Sequence, residues 1–300
     1  MANKSMRFRI VDALYIALMV VPMLAGLVLQ ILTKNPSVGI DITGAQIYCT
    51  VRMPLQDFPI TSAQINSWLV MLSILGVCLF LTHGLSQKAT TKRQLAAEWI
   101  VEQTEGMVQG SMGDFFAGYA PFIAAILALS ALSSLLSLLG LFPPTSDINV
   151  VAGWAILVFI LITYYKLKGG VLHYLKGFTE PIFLMTPLNI LGEVATPVSM
   201  AFRHFGNVLS GAVISVLISA ALQGLSSMLL GWLPGALGEI PFLQIGLPAV
   251  LSVYFDVFSG CMQAYIFAML TMLNISGAFP EEEYLARKLK KEQKALKNKK

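Results

Sequence analysis

Arg203 lies inside an apolar run, residues 182 to 222, that also holds Glu193 and His204. A guanidinium stays charged under all cellular conditions. At the centre of a lipid-embedded helix it costs about 2.5 to 3.5 kcal/mol on insertion scales, so it must face protein or water. Two uses meet that demand: an internal ion pair or interfacial snorkel that fixes packing, or a fixed positive charge acting on an anion brought to it. Ser199 and Asn207 stand four residues to either side and Ser210 seven beyond, which places all four side chains on one stripe of a helix. Such a stripe marks a hydrated or protein-facing seam. Gly206 and Ser210 also form a small-xxx-small pair suited to close helix packing.

A second apolar run, 244 to 276, repeats the pattern with Ser252, Asp256, Ser259, Gln263, Thr271 and Asn274 on one broad side. Beside them Gly260, Ala264 and Ala268 recur every four residues and permit a second helix to approach closely. A buried glutamine by itself is more often a hydrogen bond between helices. Asp256 points further, because a carboxylate at membrane depth is a group that binds and releases protons.

The elements that must position these groups are membrane helices. Hydrophobic residues make up 56% of the 300-residue chain and charged ones 12%, against about 25% charged in soluble domains. Six runs are long enough to cross about 30 Å of hydrocarbon, at 11–32, 66–85, 119–142, 149–167, 182–222 and 244–276. Backbone groups in lipid must be satisfied within the segment, so runs of this length are helices. The expected fold is an all-α membrane protein of about six transmembrane helices. The last two runs are too long to stand upright; each must tilt strongly, kink, or begin with a re-entrant piece, with Pro187 and Pro197 the expected bends in the first. Residues 92 to 111, with Leu95, Trp99, Val101 and Met107 among charges and amides, suit an amphipathic helix lying on the membrane surface. Cys49, Cys78 and Cys261 have no metal-binding or disulfide spacing and read as small apolar residues; no metal site is expected. The run beginning at Val11 is longer than a signal peptide's and reads as a retained span.

Three divisions follow: residues 1–65 as an extra N-terminal span with an outer loop, 66–278 as a core, and 279–300 as a basic tail that stays solvated or touches anionic lipid. With the N-terminus inside, 17 of the 20 lysines and arginines fall on the inner side, Lys34 and Arg52 remain outside, and Arg203 lies within a span. That asymmetry places both termini in the cytoplasm.

Local sequence then becomes specific. The string PLNILGEVATPVSMAFRHFGNVLSGAVI, residues 187–214, resembles the signature helix of the subunit a family of bacterial F-type ATP synthases, and QAYIFAMLTMLNIS, 263–276, resembles that family's last helix. The likeness extends back through GFTEPIFLMTPLNI and FPPTSDINV and covers roughly residues 66 to 278. It implies an ion-translocating stator in the bacterial cell membrane, not catalytic alone and without cofactor. Its implied partners are a ring of small hairpin subunits (subunit c), the peripheral stalk subunit b and membrane lipid, with no nucleic acid. Arg203 matches the family's essential arginine, with Asn207 and Gln263 as polar neighbours at the rotor contact and Ser199 and Ser210 along the same pathway. Asp256 matches a position that often carries His or an acid in the outer half-channel, and Glu193 lies in the region leading to the inner one. Two departures stand out: Ala212 occupies a place where many members pair an acid or His with position 256, and His204 replaces a commonly apolar residue.

A stand-alone secondary transporter using Arg203 for an anionic substrate is the rival reading; the absence of an internal repeat weighs against it. Neither a metalloprotease motif nor a serine-protease loop is present. A purely structural scaffold would not need Arg203 and Asp256 at depth. The topology is tested with single reporter cysteines at Ala45 and Ala295 in a cysteine-free background. An impermeant thiol reagent applied to intact cells is expected to label position 45 and spare 295, and labelling of 295 would overturn the orientation.

Overall fold

The computed structural model describes residues 2–33, 44–54, 56–86, 91–179, 183–230, 243, 246–282, 284, 285 and 287–289. Lys34, Lys88, most of the 223–243 connection beyond residue 230, and Ala295 with most of the basic tail lie outside them. The helices are α1 (Ala2–Thr33), α2 (Ser62–Thr82), α3 (Lys92–Met112), α4 (Ala120–Leu135), α5 (Ile148–Lys168), α6 (Val171–Thr179), α7 (Thr186–Leu230), α8 (Leu247–Ser252) and α9 (Gly260–Gly277). Among the described residues six helical segments are long and apolar enough to cross a membrane: Phe8–Thr33, Ser62–Thr82, Asp114–Leu139, Ile148–Lys168, Phe183–Leu229 and Val250–Gly277. The all-α membrane fold and its six spans agree with the sequence reading, and α3 is the helix too polar to join them.

Part of the segment between α1 and α2 is not helical. Strands β1 (Ile47–Val51) and β2 (Phe58–Thr61) form a small antiparallel hairpin with Ile47 opposite Thr61 and Val51 opposite Phe58. Its β-branched and aromatic residues suit strands, and Ser62 ties the hairpin to α2 by donating its backbone N–H to the Gln46 carbonyl at 2.8 Å.

Helices α1 and α2 approach closely because Gly76 presents no side chain: a Cβ there would lie 2.7 Å from the Met19 backbone nitrogen. Ser73 Oγ donates to the Met19 carbonyl at 2.9 Å across the same crossing. At one end of this pair Gln30 and Asn66 donate to the carbonyls of Gly140 and Phe142 in the turn after α4. At the other, Asp12 accepts from Arg93 Nη1 at 2.9 Å and lies 2.8 Å from His83 Nδ1, linking α1 to the start of α3. The extra N-terminal span is thus fastened to the bundle at both ends.

The main core joins α3, α4, α5 and α9, with Val108, Phe116, Ile123, Val158, Ile162, Phe267, Met272 and Ile275 buried together and Met200 reaching in from α7. Gly260, Ala264 and Ala268 form the buried stripe that the four-residue spacing suggests; Gly260 meets Ser134 of α4 so closely that a Cβ would come within 2.8 Å of it. Gly206 and Ser210 differ: a Cβ on Gly206 would meet nothing within 4 Å and Ser210 is exposed, so that pair packs against no helix of this chain among the described residues. The α7 glycine that does admit a neighbour is Gly211, where a Cβ would lie 3.1 Å from Phe255 Cδ1.

Helix α7 runs 45 residues without a break, about 68 Å at 1.5 Å per residue. That is more than twice the thickness of the hydrocarbon, so it crosses at a steep tilt. Pro187 does not bend it, because it falls in the first turn, where a missing N–H is no loss. Pro197 is accommodated inside the helix. Beyond residue 222, where the apolar run was expected to stop, Ser227 Oγ bonds the Gln223 carbonyl and Ser226 is buried, so the polar residues are absorbed into the helix. The last crossing is not uniform either: between α8 and α9 the chain widens into a π-helical segment, Val253–Ser259, centred on Asp256.

Candidate functional site

Helix α7 has one covered face and one open face. Only 6% of its spanning window is buried inside the chain, against 28% for α5. Ser199, Arg203, Asn207 and Ser210 all lie on the open face, among exposed Val198 and Phe202. Arg203 makes no ion pair or hydrogen bond with any described residue. A permanent cation at membrane depth without an internal counter-charge requires one from outside the chain, or water, which removes the internal ion-pair reading of Arg203.

Asn207 does have an internal partner. Its Nδ2 donates to Gln263 Oε1 at 2.6 Å, and Gln263 is only 2% exposed in α9. This bond links α7 to α9 one turn from Arg203. Ser210 Oγ donates to the Asn207 carbonyl at 3.2 Å, a local bond that leaves it on the exposed stripe. Thr271 and Asn274 are occupied within the bundle, by the Phe267 carbonyl and Met200 Sδ respectively.

On one side of Arg203, ten residues back and so about 15 Å along the helix, Glu193 opens into a cavity of about 580 Å³. Lys166, Tyr174, Asn189, Thr196 and Asn274 share its lining. Lys166 Nζ pairs with Glu193 Oε2 at 2.6 Å, and the Tyr174 hydroxyl donates to Glu193 Oε1 at 3.5 Å. Burial, and then the Glu193 charge beside it, push the Tyr174 hydroxyl above its ordinary pKa. Lys166 was legible in the sequence only as an inner-side basic residue, because nothing in a separation of 27 positions marks it as the partner of Glu193.

On the other side, Asp256 is half-buried in the π segment. Such bulges shift side chains off the regular α register and often sit at functional positions. The packing of Phe255 on Gly211 brings this segment against the stretch of α7 that carries Ala212. His204 points away from the open face and is wholly buried between α4, α5 and α9. The site thus has an uncompensated cation on an open helix face, an amide pair beside it, and a carboxylate to either side along the helix.

Residues 64–276 match the ATP synthase A chain family. The chain is 31% identical over 220 residues to ATP synthase subunit a of Geobacter sulfurreducens, covering 72% of this chain and 86% of that protein. It is 31% identical over 222 residues to subunit a of Bacillus pumilus, covering 70% and 88%. Over 245 residues it is 29% identical to the subunit a of Propionigenium modestum described as sodium ion specific, covering 76% and 77%. With its six apolar helices and the arginine-bearing α7 inside the matched region, the chain belongs to the ATP synthase A chain family, as a multi-pass membrane subunit that is not catalytic alone.

Proposed function

We propose that the chain is the stator half of a rotary ion path, with two aqueous half-channels that reach the middle of the membrane without joining. The observation that carries this is Arg203 on an uncovered helix face with no counter-charge among the described residues. Its partner is a ring of small hairpin subunits (subunit c), each presenting one carboxyl group as the ring turns, while the stalk subunit b holds the stator still. Both termini face the cytoplasm in this arrangement.

The electrostatics give the arginine two tasks. Unit charges about 4 Å apart at an effective dielectric near 20 attract by about 4 kcal/mol, enough to favour the ionised ring carboxylate yet reversible with rotation. The same charge repels a cation that would otherwise pass straight between the channels. The cavity around Glu193 serves as the inner half-channel, and the π segment with Asp256 lines the outer one. In synthesis, ions enter past Asp256, load the ring, travel round and leave past Glu193. Each charge crossing 100 mV releases about 2.3 kcal/mol, so several ions are needed per ATP.

Arg203→Ala is expected to leave an assembled complex that neither makes ATP nor pumps ions on ATP hydrolysis. Arg203→Lys should recover little, since an ammonium loses its proton more readily in an apolar site. Normal pumping by assembled Arg203→Ala complexes in inverted vesicles would end the stator reading.

Asp256 and Ala212 are tested together, because the two helices run antiparallel and Gly211 and Phe255 already pack together. Asp256→Ala is expected to slow ATP-driven pumping several-fold without loss of assembly. Adding Ala212→Glu should restore part of the rate by returning a titratable group to the same water path. Wild-type pumping by Asp256→Asn across a range of pH would remove Asp256 from the pathway.

A further inference from the structure

His204 has no solvent exposure, and its ring sits edge-on between Trp154 (5.9 Å between centroids) and Phe267 (5.4 Å). Nε2 lies 3.3 Å from Ser130 Oγ, whereas Nδ1 is buried with no hydrogen-bond partner. Ser130 begins a line of buried hydroxyls. One turn along α4, Ser134 Oγ donates to the Ser130 carbonyl at 3.1 Å and lies 3.3 Å from Thr145 Oγ1 in the turn before α5. Ser133 Oγ and Ser146 Oγ, sequence neighbours of Ser134 and Thr145, are likewise buried without partners. Gly260 of α9 packs directly on Ser134, four residues after Asp256. Buried hydroxyls thus lie between the α4–α5 turn, beside Gly260, and the residue adjoining Arg203, with Ser134 joined to Ser130 through its backbone carbonyl.

Packing does not account for this arrangement. Buried polar atoms are nearly always hydrogen-bonded, and a half-satisfied imidazole is a poorer core residue than an aliphatic side chain of similar size. The buried, unpartnered Nδ1 of His204 calls for a hydrogen-bonding water. Imidazole adds a capacity that leucine lacks, since it takes a proton on one ring nitrogen and releases one from the other.

We propose that His204 is the proton-relay residue at the end of this hydroxyl-lined seam nearest Arg203, passing protons between Ser130 and a water at its buried Nδ1, and that the coupling ion on this route is a proton. The proposal rests on the stator reading above. In the transfer, Ser130 gives its hydroxyl proton to Nε2 and is re-protonated from water in the seam, because the Ser134 hydroxyl donates to the Ser130 carbonyl and not to its Oγ, while Nδ1–H passes its proton to water. Reorientation of the imidazole between transfers returns an N–H to the Nδ1 side for the next proton in the same direction, and only O–H and N–H bonds change. The faces toward the ring are Ser130 from α4, Trp154 from α5 and Phe267 from α9, with Arg203 the adjoining charge on α7. A sodium ion, like other hard cations, needs several oxygen ligands, and the ring nitrogens meet one hydroxyl among the described residues.

The test uses the whole complex in inverted vesicles, with ATP-driven acidification and ²²Na⁺ uptake normalised to assembled complex. His204→Leu is expected to cut acidification about ten-fold or more. His204→Gln should fall as far, because an amide can bond Ser130 and hold water but cannot exchange a proton between two nitrogens. No ATP-driven ²²Na⁺ uptake is expected in the unaltered complex. Acidification at the unaltered rate by either variant, or ²²Na⁺ uptake in place of acidification, overturns the relay. If His204→Leu does not assemble, Ser130→Ala decides, with a drop of about three-fold or more expected and an unchanged rate contradicting it. Arg203→Ala run in parallel separates the two readings: pumping by that variant defeats the stator account itself, whereas its silence beside a fully active His204→Gln defeats the relay alone.

Discussion

A guanidinium that cannot shed its proton, carried at membrane depth on the open face of a helix, sets the terms for everything around it. Charge in hydrocarbon is costly, and the chain provides Arg203 with no carboxylate among its described residues. Compensation must come from water or from a charge beyond the described residues, and a partner's charge must be able to leave again if the complex is to turn over. A buried pair within the chain would have been more stable and of no use for transport. The surrounding bundle accordingly leaves α7 uncovered on that side and packs its opposite face with His204, Met200 and Ala201.

The tilt of α7 follows from the same constraint. One helix about 68 Å long spans the membrane obliquely, so residues before and after Arg203 reach opposite halves of the bilayer while remaining on a single rigid element. Glu193 and Ala212 are then placed to either side of the arginine by helix geometry alone. The cavity at Glu193 is held by Lys166 of α5 and Tyr174 of α6, and the π segment at Asp256 is positioned by the contact of Phe255 with Gly211. Where regular α geometry would align Asp256 with Gln263, the extra residue per turn turns it off that line.

Much of this was legible in the sequence. Hydropathy located six spans, because lipid leaves the backbone no alternative to helix over such runs. The exposed stripe of Ser199, Arg203, Asn207 and Ser210 followed from helical spacing, as did the close-packing stripe of Gly260, Ala264 and Ala268. Other features were not legible, for physical reasons. Whether Gly206 or Gly211 meets a neighbour depends on which face turns inward, which spacing does not fix. The Lys166–Glu193 pair joins different helices, and local sequence carries no signal of it. Ser130 reads as an ordinary residue of an apolar helix until packing shows it buried against the imidazole of His204. The hairpin at 47–61 is too short and too interrupted by proline to stand out by alternation.

The central claim is that the open face of α7 at Arg203 lies against a rotor subunit. Photo-crosslinking from a benzophenone amino acid at position 207, compared with position 154 on the covered side, tests it most directly in the intact membrane complex. The account predicts that position 207 gives an adduct with a small two-helix subunit that forms a ring, and that position 154 links only within the chain. Adducts from position 207 to lipid alone, in membranes where the complex is assembled, would contradict it.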